Sequence, residues 1–195
     1  MDVDWADYYA AVSGRSSRPL LTRALDAWGE RAPGRAVDLG AGDGTETLAL
    51  LGLGWRVTAI DVTPASAEII GGRVAPQHRL LLQVQTASIE LAEIDDIDLV
   101  YAGFSLPFVI PDAFPAAWSR ILASLRPGGI LAANLFGPND TWATDPEMNF
   151  HDRAEVEGLL GDLEILSLDE TDEDGMAASG PKHWHLFDCV ARRRT

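Results

Sequence analysis

Basic side chains are scarce. Against 30 Asp and Glu the chain carries only 15 Lys and Arg, for a formal charge of −15. Such a surface repels nucleic-acid phosphates and anionic lipid, so neither nucleic acid nor a membrane is expected as a partner. The one basic cluster, Arg192-Arg193-Arg194, reads as a solvated tail. Cysteine is scarcer still. Cys189 stands alone, which excludes an internal disulfide and Cys-rich zinc arrangements and suits a reducing compartment. Long apolar runs are missing too: the longest, Leu99 to Ile110, contains Gly, Ser and Pro and is too short to span a bilayer. The N-terminus begins Met-Asp-Val-Asp-Trp, acidic where a secretory leader would be basic. A soluble, cytoplasmic protein is the expectation.

What is present fits one folded domain. The 195 residues are 47% hydrophobic and 23% charged, enough apolar material for a full core and too little charge for a disordered chain. Residues 1–34 read as an N-terminal helical segment in two amphipathic pieces. Trp5, Tyr8, Tyr9 and Val12 share one face, and Leu20, Leu21, Ala24, Leu25 and Trp28 another. From residue 35 apolar runs alternate with helical patterns. Strands are expected at 35–39, 55–60, 80–84, 97–102, 130–136, 163–168 and 184–191. Helices are expected at 45–51, 63–74, 114–125 and 152–160. This alternation predicts a mostly parallel sheet covered on both faces, in a single domain over 35–195. Residues 169–182 lack a helical pattern and contain the acidic, turn-forming run Asp169 to Gly175. That connection predicts an antiparallel final pair, because a parallel crossover usually needs a helix.

The chemistry is concentrated at the first turn. Arg35 to Leu39 leads into Gly40-Ala41-Gly42-Asp43-Gly44-Thr45, a strand that ends in a glycine bend and opens a helix. Seventeen residues after Gly44, the next strand ends in Asp61. A glycine turn with a carboxylate at the tip of the neighbouring strand is a layout that holds a ribose-bearing ligand. A dinucleotide site would need G-x-G-x-x-G, but Thr45 stands where the third glycine belongs. Asp38, just before the turn, suits an ammonium group better than a pyrophosphate.

Asp38-x-Gly40-x-Gly42-x-Gly44 followed by Asp61, with Leu125-Arg126-Pro127-Gly128-Gly129 before the fifth strand, resembles the class I S-adenosylmethionine (SAM)-dependent methyltransferases. Within them it is similar to the small-molecule branch that includes bacterial tellurite-resistance-type enzymes. The resemblance implies a three-layer, Rossmann-like α/β sandwich with seven strands in the order 3-2-1-4-5-7-6, the last antiparallel. It implies SAM as cofactor, S-adenosylhomocysteine as product and a small-molecule acceptor. It places Gly40, Ala41 and Gly42 against the methionine portion, with Asp38 near the ammonium and Gly44 completing the turn. Asp61 would grip the ribose hydroxyls and Val62 would pack on the adenine. Ser88 or Glu90, beside Ile89, would meet the adenine amino group. Gly103, Phe104 and Ser105 would edge the transfer cleft. Tyr8 and Tyr9 would belong to a lid, and Arg15 or Arg18 would reach the methionine carboxylate.

On the acceptor side the candidates are His183, His185, Asn139 and Trp142, with Asp140 beside them. His183-x-His185 points two rings to one face of the last strand. It lacks a third metal ligand, since Asp188 has the opposite parity, so no metal is expected. A histidine there would serve as a base for a hydroxyl or amine acceptor. The rival readings are a SAM-binding protein without catalysis and a nicotinamide-dependent oxidoreductase.

Overall fold

The computed structural model describes Tyr9, residues 14–177 and residues 180–195. The Trp5, Tyr8 and Val12 positions of the first expected helix lie outside these residues. One sheet contains β1 (Arg35–Leu39), β2 (Arg56–Asp61), β3 (Leu82–Thr86), β4 (Ile97–Ala102), β5 (Leu125–Phe136), β6 (Leu163–Ala177) and β7 (Gly180–Arg193). Their order is β3-β2-β1-β4-β5-β7-β6. The first five pair in parallel, and β7 runs antiparallel to both β5 and β6. The expected order and the reversed strand are both present.

The helices are α1 (Pro19–Trp28), α2 (Thr45–Gly52), α3 (Pro64–Arg73), α4 (Phe114–Ser124) and α5 (Arg153–Leu159). Alternation along the strands sends neighbouring side chains to opposite layers. Val37, Leu39 and Val100 meet Phe114, Trp118 and Ile121 of α4 on one face. Ala36, Leu99 and Tyr101 meet Leu20 and Leu21 of α1 and Leu50 and Leu51 of α2 on the other. α1 starts on Pro19 and stops at Gly29, which takes φ 72° where an L side chain would be strained. α5 carries a reciprocal cap: Asp152 accepts from the Glu155 N–H at 2.9 Å, and Glu155 accepts from the Asp152 N–H at 2.8 Å.

Three elements differ from the sequence expectation. The third strand begins at Leu82 rather than Leu80, because Pro76 starts a 3₁₀ turn that runs through Leu81. The fifth strand already pairs at Leu125 opposite Ile97, then bulges before regular register resumes at Ile130 opposite Leu99. The acidic connection is the largest correction. Residues 169–177 continue β6, and β7 starts at Gly180, so the expected loop is a hairpin paired from Leu163–Arg193 to Ala177–Gly180. Like charges along Asp169 to Asp174 are tolerated because His183, His185 and Arg153 supply partners. β5 pairs with β7 only from Ile130–Arg192 to Phe136–Leu186, so residues 180–185 overhang the end of the sheet.

Chain order reverses direction between β1 and β4: β2 and β3 build outward on one side, and β5, β7 and β6 on the other. Ligands in such sheets bind beyond the strand ends at that reversal. The site opens there.

Candidate functional site

The turn after β1 is built on its glycines. Gly40 has φ 73°, and a Cβ there would lie 2.4 Å from the Ser105 Cβ. The Gly40 and Ala41 N–H groups both donate to the Ile60 carbonyl, at 2.8 and 3.0 Å, tying the bend to the end of β2. Gly42 has φ 56°, and its open side faces the Tyr9 ring, whose Cε1 would be 3.2 Å from an added Cβ.

Asp61, at the tip of β2, is buried and accepts from the Gly42 N–H at 2.8 Å and the Thr63 N–H at 2.9 Å. The Tyr9 hydroxyl donates to both its carboxylate oxygens, at 2.9 and 3.0 Å. An alcohol thus already stands on this carboxylate, against the glycine turn.

Asp43 holds the turn rather than facing the cavity centre. It accepts from the Thr45 hydroxyl at 2.7 Å and from Arg73 of α3 at 2.7 Å. Burial opposes its ionisation, but the bonds from Thr45 and Arg73 outweigh that and keep its carboxyl below the usual range. Among the described residues no ion pair reaches Asp38. Burial first, then the nearby Glu46, pushes its carboxyl up to about 7, against the 2.6 Å bond from the Thr47 hydroxyl. Glu46 is clamped by both guanidinium nitrogens of Arg15, each at 2.5 Å, and by the Arg18 N–H at 3.0 Å. Beside this group the Tyr101 hydroxyl and the Ser105 hydroxyl are buried without a hydrogen-bond partner. Burial, then Glu46 and Asp38, drives the Tyr101 pKa up, so the phenol keeps its proton.

These residues line one cavity of about 740 Å³. Asp38, Gly40, Ala41, Gly42, Asp61, Val62, Ser88, Ile89, Glu90, Gly103 and Ser105 all border it, as do Tyr9, Arg15, Arg18 and Trp142. Gly44 does not; it starts α2, packed so closely on Ile70 that a Cβ would lie 2.5 Å from its Cγ1. Val62 is 57% exposed, an open apolar surface beside the Asp61 carboxylate. Ser88 and Glu90 both border the cavity around a short 3₁₀ turn.

Of the acceptor-side candidates only Trp142 borders the cavity; His183, His185 and Asn139 do not. The two histidines alternate with Lys182 and Trp184 along β7 and point to the other face. His183 bridges Asp174 at 2.8 Å and Asp172 at 2.7 Å, and those bonds raise its pKa. His185 is 3.1 Å from Glu170 and accepts from the Asn139 N–H at 3.0 Å. Their place is in the hairpin scaffold. The sequence reading missed Tyr101, Phe136, Met148, Met176 and Trp184, which also line the cavity. Tyr101 and Phe136 sit at the C-terminal ends of β4 and β5, where strand position alone was a usable signal.

Comparison with known proteins bears on the donor side of this cavity. Residues 37–131 match the methyltransferase domain family. That methyltransferase match holds the glycine turn, Asp61 and Tyr101, and stops before Phe136, Trp142 and Trp184. The chain is 28% identical over 167 residues to a carboxy-S-adenosyl-L-methionine synthase of a Psychrobacter species, covering 75% of this chain and 60% of that protein. The chain therefore spans less than two thirds of that relative. Among solved structures, a 1,6-didemethyltoxoflavin-N1-methyltransferase from Burkholderia thailandensis, with S-adenosylhomocysteine bound, aligns with TM-score 0.71 at 20% identity. That alignment covers 98% of this chain and 87% of the other. TehB from Haemophilus influenzae aligns with TM-score 0.75 at 18% identity over 97% and 67%. The fold is the Rossmann-like methyltransferase fold. Among the described residues, no helix is long and apolar enough to cross a membrane.

Proposed function

We propose that the cavity binds SAM and that the chain transfers a methyl group from it to a small-molecule acceptor, as a class I methyltransferase. One observation carries the reading: a carboxylate fixed by two backbone N–H groups receives a hydroxyl directly against a glycine turn. Tyr9 there stands in for a ribose hydroxyl, and charge-assisted bonds of this kind are stronger than neutral ones. The orphaned Tyr101 and Ser105 hydroxyls supply unsatisfied polar atoms at the other end of the turn, where the amino-acid tail would lie. Asp38 would face the ammonium, and Val62 the adenine, with Ser88 or Glu90 at its edge. Tyr9 would leave Asp61 as the ribose arrives.

When bound, SAM supplies a methyl group already activated on a sulfonium. The chain's part is then to align the acceptor in a water-poor cleft, which by itself removes much of the barrier. The ring-lined wall beyond Phe104 suits that task. The reading is tested by calorimetry of the full chain with SAM, S-adenosylhomocysteine and NAD. Saturable binding of the first two and none of NAD is expected; NAD binding alone would overturn it.

A further inference from the structure

Beyond Phe104 the cavity wall changes from backbone and polar groups to aromatic rings. Phe104, Phe108, Phe136, Trp142 and Trp184 all border it and form one network, with centroids 5.8–6.4 Å apart in tilted or edge-to-face contacts. Such a box suits two opposite kinds of guest, a flat ring or a cation.

The charges around the box decide between them. The chain's only lysine, Lys182, is 4% exposed and does not border the cavity. Its Nζ lies 3.8 Å from the Trp184 ring, 4.1 Å from Trp142 and 5.0 Å from Phe136, and it is ion-paired to buried Asp140. Three of the five rings are thus already polarised toward a cation that belongs to the protein. A fourth, Phe104, carries the Arg18 guanidinium 4.4 Å over its face, and among the described residues no carboxylate pairs with that guanidinium. A guest cation would compete for ring density already engaged and would be repelled by the Arg18 guanidinium. An electron-rich ring stacked on rings drawn toward a cation gains instead. Glu147 also borders this end, so a cationic guest is part of the test.

We propose that this end of the cavity takes the flat ring of an electron-rich aromatic acceptor, neutral or anionic, and discriminates against cations and saturated rings. The inference rests on the methyltransferase reading for calling the guest an acceptor, but the box is testable apart from it. Calorimetry on the full chain, with and without S-adenosylhomocysteine, would use four matched probes: 2-naphthol, 2-naphthoate, 2-naphthylmethylammonium and decahydro-2-naphthol. The two aromatic non-cations should bind at least tenfold tighter than the other two. Trp184→Leu should remove at least tenfold of 2-naphthol affinity with S-adenosylhomocysteine affinity unchanged; Phe108→Leu repeats the measurement if Trp184→Leu melts early. Replacing the buried pair together, Lys182→Met with Asp140→Asn, should narrow the naphthol-over-ammonium preference about tenfold. Equal or tighter binding of the ammonium or the saturated ring, or a preference unmoved by removing the pair, overturns the proposal. Naphthol discrimination without S-adenosylhomocysteine binding would uphold the box and sink the donor reading. The reverse result would do the opposite.

Discussion

The two ends of the cavity are made from different materials. At the donor end the contacts come from main chain and from carboxylates fixed by main chain: Gly40 to Gly42, Asp61 held by two N–H groups, and Asp38 buried beside them. At the other end most of the lining is aromatic or thioether side chain, delivered from positions 104 to 184, with Val109, Ile110 and Glu147 among them. The first is a local turn closed within some thirty residues; the second exists only once β4, β5 and the β6–β7 overhang meet. A site built from backbone geometry has few alternatives, whereas rings can be exchanged without moving the turn. On the proposed reading this separates a fixed donor site from an adaptable acceptor site on one scaffold.

The comparison is broken most severely by Asp61→Ala. Losing the ribose-side carboxylate should weaken SAM binding by roughly a hundredfold, on the scale of two charge-assisted hydrogen bonds. Unchanged affinity in calorimetry would show that the two ends are not distinguished in this way.

Next comes a pH effect confined to the donor end. An ammonium beside Asp38 favours the carboxylate form, so SAM affinity should rise with pH up to about 7 and level off above it. The slope below is at most about tenfold per pH unit, and Asp38→Asn should flatten it. The ligand-free fold should show the opposite trend. Its Asp38 holds a proton that the unfolded chain releases near pH ~4, so this residue's contribution to stability falls as pH rises from there to about 7. Thermal melts of wild type and Asp38→Asn across that window would show it.

A smaller effect is expected from Tyr9→Phe. It removes the hydroxyl that competes for Asp61 and should tighten SAM several-fold while leaving naphthol binding at the aromatic end alone. Smallest is His183→Gln in the hairpin. His183 is held protonated by Asp172 and Asp174, so its contribution is present below its ordinary range and is lost as pH rises through its raised pKa. The variant should lower the melting temperature slightly at pH 6 and not at pH 9.

The same division explains what the sequence reveals. The glycine spacing, the acidic strand tip and the order of strands are legible because each is a short-range pattern with one physical use. Asp61, Gly40 and Gly42 follow from that, and all three border the cavity. The ring-lined wall was legible only at Phe104 and Trp142, because its residues share no spacing. Trp184 was hidden by a charge argument: Asp169 to Gly175 has the composition of a turn, and only cross-strand partners at 183 and 185 make it a strand. His183 and His185 drew attention as chemistry, but their rings hydrogen-bond to Asp172, Asp174 and Glu170 of that strand. Phe136 was seen as the end of a buried strand, and nothing local said that it faces a cavity.

One of the two outer strands of the sheet is β6, and along it lie Glu164, Asp169, Glu170, Asp172, Glu173 and Asp174. A neighbouring molecule trying to add its own strand there would bring the same row of anions against it. Mutual repulsion thus keeps a long unpaired rim from becoming a template for polymerisation.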